Sequence, residues 1–165
     1  MVCAVRPPTE GDAVIRLAAR VVWLDPDHRV LLFAGSEVGG PRSVVWYLPG
    51  GGVEPGETTA DAARRELWEE AGVSDLDLGP CVWTRRRMRS DGVDSRSEFF
   101  LVRAPSFEFD VSAVPMPGEV DEYRWWTLDE IADAGHETFI PKRLEELLAP
   151  LVRGLVPDAP VDASD

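Results

Sequence analysis

Residues Gly51–Val73 read GGVEPGETTADAARRELWEEAGV, a glycine turn running straight into a helix with an acidic face, and this stretch decides the fold. Thr58 or Thr59 can cap the start of the helix, and Asp61 in its first turn suits the positive end of the helix dipole. At about 100° per residue, Glu66, Glu69 and Glu70 fall within an arc of roughly 100°. Beside that arc Ala60, Ala63, Leu67 and Ala71 form an apolar stripe able to dock on a sheet. The three carboxylates therefore stand on the border between core and surface, where a cleft wall would be. Like charges three and four residues apart cost a helix about 0.2–0.5 kcal/mol per pair. A hard divalent cation offsets that cost, and Mg²⁺ prefers oxygen ligands, shared between one or two carboxylates and substrate phosphates. Three glutamates alone would read more simply as a solvated face partnered by Arg64 and Arg65. That reading leaves the turn Pro49-Gly50-Gly51-Gly52 unexplained.

Outward from the turn, Val44–Leu48 reads as the strand that feeds it. Strands over Val14–Leu24 and Arg29–Ala34 come earlier, on either side of a turn at Asp25-Pro26-Asp27-His28. Downstream, Leu76–Met88 and Ser97–Arg103 read as a hairpin around Asp91-Gly92. A strand over Val120–Thr127, a short helix over Leu128–Ala134 and a helix over Pro141–Val152 follow, with Pro141 near the start of the last. Residues 1–11 read as a flexible lead-in, 12–153 as one domain, and 154–165 as a loose, acidic, proline-rich tail. This order of elements indicates an α/β protein, a mixed sheet covered by helices.

Composition narrows the function classes. The chain has 165 residues, 44% of them hydrophobic and 28% charged, enough for one sizeable core. Lys and Arg number 17 against 30 Asp and Glu, a net charge of −13. That balance argues against a nucleic acid polymer or an anionic membrane as partner, since both need a basic footprint. Bound divalent cations can still bring an anionic small molecule to an acidic protein. No apolar run approaches the roughly 18–20 residues that span a bilayer. Cys3 and Cys81 read as isolated reduced thiols, and the expected location is cytoplasmic.

The quoted stretch resembles the Nudix box: a glycine, five residues, a glutamate, seven residues, then Arg-Glu-apolar-x-Glu-Glu-x-Gly-apolar. Gly51, Glu57, Arg65, Glu66, Leu67, Glu69, Glu70, Gly72 and Val73 fill every position. The resemblance implies an α/β/α sandwich with a mixed sheet, and metal-dependent hydrolysis of a phosphoanhydride bond in a nucleoside diphosphate linked to another group. It implies Mg²⁺ (or Mn²⁺) held chiefly by Glu69 and Glu70, with Glu66 a further ligand or the group that orients or deprotonates water. The backbone carbonyl of Gly50 or Gly51 would complete the set. Glu57 and Arg65 would brace the loop against the helix, as supports of metal ligands do. The family often adds a downstream acidic ligand, for which Glu122 and Glu119 rank together and Asp121 is a further candidate. A homodimer is also compatible with the resemblance.

Weaker signals surround the box. Arg85, Arg86, Arg87 and Arg89 form a basic cluster, in which Arg85 and Arg87 alternate along one strand face and can meet phosphates; a charged, exposed strand is the competing reading. Trp46 and Tyr47 stand just before the turn, and an aromatic there, Trp46 above all, is a candidate to stack on a base, although buried core aromatics are commoner. The stretch Thr84–Val93 has neither the proline nor the tyrosine that mark two branches of the family. Two rivals remain: a non-catalytic Nudix-fold module that binds a nucleotide or sugar-phosphate and regulates a partner, disfavoured by the intact glutamates, and an isomerase, which would call for a catalytic cysteine near the cleft, with Cys81 as the candidate.

Overall fold

Alternation along the first strand sets the layers. In the computed structural model, which describes residues 15–36, 44–88, 93–116 and 120–164, β1 (Ile15–Leu24) sends Ala19, Val21 and Trp23 to one face and Val22 and Leu24 to the other. Both sets are buried, so β1 lies in the middle of a sheet covered on both sides. β2 (Val30–Ser36) returns through a turn in which the buried Asp25 carboxylate accepts from the Arg29 backbone N–H and Nε, both at 2.8 Å. The two strands pair only at Leu24↔Val30 and then part.

From that parting the sheet splays into two wings. β2 pairs with β3 (Val44–Tyr47) on one side and β6 (Glu122–Trp126) on the other. β1 instead runs parallel to β5 (Asp94–Arg103), in register from Ile15↔Asp94 to Leu24↔Arg103, and β4 (Cys81–Met88) continues that wing antiparallel. Short parallel strands finish the edges, β7 (Thr138–Ile140) on β3 and β8 (Val161–Asp162) on β4. Helix α1 (Thr59–Ala71) covers one face, packing Ala62, Ala63, Leu67 and Ala71 among Val21, Phe33 and Phe100. Helices α2 (Leu128–Asp133) and α3 (Leu144–Val152) cover the other, with Ile131, Leu147 and Leu148 among Leu32, Trp46 and Trp83. The protein is thus α/β, a mixed sheet between helices.

Several boundaries differ from expectation. Residues 76–80 are not strand; there Gly79 N–H donates to Leu101 O at 2.8 Å and Leu101 N–H to Pro80 O at 3.0 Å, an irregular approach before β4 begins. β5 starts at Asp94 rather than Ser97, because β1 and β4 pair it on both sides from there. The last helix starts at Leu144, not Pro141, after β7 and a turn over 141–143. The tail expected to be loose instead supplies β8: Ala163 is fully buried and donates its N–H to Thr84 O at 2.7 Å. A two-residue strand has no periodicity of its own to announce it.

Leu148 tests the α3 face. It is 1% exposed, in a cluster with Leu144, Leu147 and Leu151. Truncation to Ala removes methylenes where the neighbours cannot close in, so Leu148→Ala is expected to cost about 2–5 kcal/mol by urea denaturation. Leu155→Ala, at a side chain 60% exposed, is the control and should leave the midpoint nearly unchanged.

Candidate active site

The glycine turn is built as an extra segment of the sheet. Val21 N–H donates to Pro49 O and Ala19 N–H to Gly51 O, both at 2.9 Å, while Val53 N–H donates to Leu17 O at 3.0 Å. Residues 49–53 therefore run along the β1 edge that β2 has left. Gly50 sits at φ 127°, and a Cβ there would lie 2.2 Å from Ala19 O. At Gly51 a Cβ would lie 2.3 Å from Glu66 Oε1. Close approach to β1 and to the helix glutamate thus explains a turn without side chains.

Helix α1 is fixed at its start by a capping box: Thr58 Oγ1 accepts from Asp61 N–H at 3.1 Å, and Asp61 Oδ2 accepts from Thr58 N–H at 3.3 Å. The cap is Thr58; the Thr59 hydroxyl donates to Glu98 at 2.6 Å, tying the helix to β5. Docking of the alanine and leucine stripe turns Glu66 and Glu70 inward, 7% and 4% exposed, and leaves Glu69 half-buried. Gly50 N–H donates to Glu70 Oε2 at 2.8 Å. Arg65 gathers the rest: Nη1 donates to Glu66 Oε1 at 2.9 Å and Glu69 Oε2 at 2.8 Å, and Nη2 to Glu57 Oε1 and Gly52 O at 2.8 Å. Below the turn, Arg20 Nη1 donates to Leu48 O at 3.2 Å and to Gly50 O.

These contacts set the protonation preferences. Burial pushes the Glu66 carboxyl above its ordinary value, with Arg65 opposing. The hydrogen bond from Arg65 holds Glu57 below the usual carboxylate range, against its partial desolvation. Arg65 is held protonated by the same bond to Glu57, with Glu66 and Glu69 adding to it against desolvation.

Two adjoining clefts meet at the turn. An open one of about 610 Å³ carries Arg65, Glu66, Glu69, Glu70 and Met116. Met116 is brought there by its backbone N–H, which donates to Glu69 O at 3.0 Å. A narrower one of about 360 Å³ fills the gap between the wings, with Arg16, Arg20, Arg85 and Arg87 among its walls. Arg16, Arg20, Tyr47, Gly51 and Gly52 border both.

The glutamates Glu66, Glu69 and Glu70 thus share a wall with Gly50 and Gly51, Glu57 lies behind Arg65, and Arg85 and Arg87 line the second cleft. Glu122 is exposed on β6 and lines neither cleft; Glu119 lies outside the described residues, as do Arg89 and Cys3. Trp46 corrects the stacking expectation: it is 5% exposed, edge-on to Trp126 with centroids 5.0 Å apart, and its Nε1 donates to Glu137 at 3.0 Å. The strand register gives the cleft side to Tyr47 instead. Cys81 borders neither cleft, and its thiol donates to Trp83 O at 3.3 Å. Arg16, Arg20 and Met116 escaped the sequence reading; for the two arginines, the alternation Arg16-Ala18-Arg20 within an otherwise apolar strand was the available signal.

Among the described residues, no three Asp, Glu, His or Cys side chains are grouped to hold a metal ion together; Glu66 and Glu69 are bonded to Arg65, and Glu70 to the Gly50 N–H. The donor set nonetheless fits a hard divalent cation. It is all oxygen, carboxylates beside backbone carbonyls, and Gly51 places no Cβ over the Glu66 carboxylate. No helix among the described residues is long and apolar enough to cross a membrane.

Comparison with known proteins bears on this site. Residues 14–147 match the family described as NUDIX domain. An RNA pyrophosphohydrolase of Rhodopseudomonas palustris is 30% identical over 111 residues, 58% of this chain and 66% of that enzyme. The nucleoside diphosphate-linked moiety X motif 6 protein of Mus musculus is 34% identical over 105 residues, 63% of this chain and 33% of its own length. This chain therefore spans less than two thirds of either relative. Among solved structures, a MutT protein from Methanosarcina mazei superposes with a TM-score of 0.65 over 87% of this chain and 96% of that one, at 20% identity, a likeness of fold.

Proposed function

The chain belongs to the NUDIX family, and from that premise we propose that it is a metal-dependent pyrophosphohydrolase, which cuts the phosphoanhydride bond of a nucleoside diphosphate joined to a further group. The observation that carries the reading is the complete set Glu57, Arg65, Glu66, Glu69 and Glu70, with Arg65 bonded to three of the four carboxylates and the fourth bonded to the glycine turn. Glu69 and Glu70 would hold Mg²⁺ or Mn²⁺, with Glu66 and the carbonyl of Gly50 or Gly51 contributing. When bound, such a cation neutralises phosphate oxygens and makes water a better nucleophile.

The chain's own residues supply the rest. Water attacks one phosphorus of the anhydride, the bond from that phosphorus to the bridging oxygen breaks, and two phosphorylated products leave. Glu66, whose burial raises its proton affinity, would take the water proton. Gly50 N–H orients Glu70, and Arg65 keeps Glu57 and the loop carbonyl of Gly52 in register with the helix. Arg65, bonded to Glu66 and Glu69, limits self-repulsion among the glutamates, and a cation held by them would share these carboxylates with it.

The substrate is a small nucleotide derivative. Two relatives have names that point to RNA and to nucleoside diphosphates respectively, and a net charge of −13 weighs here against a long polyanion. The proposed location is cytoplasmic, and a homodimer is compatible with the family. The test is phosphate release, with a phosphatase reporting products, across nucleoside triphosphates, nucleotide sugars, ADP-ribose, dinucleoside polyphosphates and 5′-triphosphorylated RNA, with Mg²⁺ and again with EDTA. Turnover of one class that disappears in EDTA is the expected result. Nucleotide binding without turnover in either condition overturns it and promotes the regulatory module.

A further inference from the structure

The register of the β1–β5–β4 wing places its polar residues in rows. Arg16 lies opposite Ser95, which lies opposite Arg87; Ala18 lies opposite Ser97, which lies opposite Arg85. Residues directly opposite share a face. Two serines therefore form a narrow floor with arginines at its edges, and Arg20 continues the β1 column. All of these border the 360 Å³ cleft. Among the described residues that line it, none is acidic, in a chain of 30 Asp and Glu against 17 Lys and Arg. Arg16 and Arg87 are exposed, and their side chains make no ion pair or hydrogen bond with a described residue.

A charged strand that merely protects a sheet would not leave this pattern. Arg86, on the other face of β4, is neutralised in the ordinary way, 2.9 Å from the buried Asp94 carboxylate. Guanidinium forks beside serine hydroxyls match phosphoryl oxygens.

We propose that this cleft binds phosphoryl groups in the half of the substrate away from the carboxylates, so that the preferred substrate is a nucleotide with three or more phosphates or a phosphorylated second half, not one ending in a neutral sugar. The inference rests on the hydrolase reading of the adjoining carboxylates. Continuity favours a single bridging molecule, because Arg16, Arg20, Gly51 and Gly52 border both clefts. Tyr47 and Phe99, which also line the cleft, offer the rival occupant, an uncharged base.

Two measurements decide. Inorganic tripolyphosphate is titrated in EDTA into the wild type, the Arg16→Gln/Arg87→Gln double variant and Glu69→Gln. The double variant should bind at least about tenfold more weakly, because charge-assisted bonds are lost, whereas Glu69→Gln should bind no more weakly than the wild type. In steady state, KM for a nucleoside triphosphate should rise about tenfold in the double variant, and KM for a neutral nucleotide sugar by a clearly smaller factor. Equal tripolyphosphate binding by all three proteins, or equal KM changes on both substrates, overturns the proposal. A wild type that hydrolyses no nucleotide would defeat the hydrolase reading, while tripolyphosphate binding still decides whether the cleft takes phosphoryl groups.

Discussion

Glu70→Gln is expected to reduce turnover by at least about a hundredfold while the protein stays folded. Glutamine keeps the volume of the side chain, and its carbonyl oxygen can still accept the Gly50 N–H that Glu70 accepts at 2.8 Å. What disappears is the negative charge, buried to 4% exposure on the cleft wall, that attracts a divalent cation. Glu69→Gln should act in the same direction, and it also loosens the 2.8 Å contact with Arg65. The check is turnover at saturating substrate across a Mg²⁺ titration, with the thermal midpoint recorded beside it. Activity within threefold of the wild type in both variants would show that the charge on these two side chains is not what the reaction uses.

The second large effect falls on stability. Gly50→Ala would set a Cβ 2.2 Å from Ala19 O and 2.9 Å from Arg20 Cα, at a φ of 127° that side chains rarely adopt. Neither neighbour can yield, because both belong to β1, whose whole length is paired with β5. A loss of about 3 kcal/mol or more is expected in denaturant unfolding. Gly51→Ala offers the contrast. Its Cβ would meet the Glu66 carboxylate at 2.3 Å, the end of a flexible side chain, so activity should fall further than stability. A wild-type midpoint for Gly50→Ala would mean that the turn does not lie as closely against β1 as described.

The sequence revealed some levels of this protein and hid others. The helix of the box was legible because its cap, its apolar stripe and its acidic arc share one period, and each is decided within a few residues. The central strands were legible as apolar runs. By contrast, β7 and β8 are three and two residues long, and exist because a neighbouring edge accepts them. The choice between Trp46 and Tyr47 depended on strand register, since a shift of one residue exchanges core and cleft. The cleft arginines come from β1 and β4, far apart in sequence and brought together by β5 between them. Arg16 and Arg20 were hidden by the apolar character of the strand that carries them.

The glycine turn is hydrogen-bonded to β1 as though it were a further strand. The consequence is one of timescale. Opening this wall of the site requires breaking bonds in the middle of the sheet, a region that moves only when the whole domain does. The wall that carries the glycine turn is therefore expected to be among the slowest parts of the molecule to open.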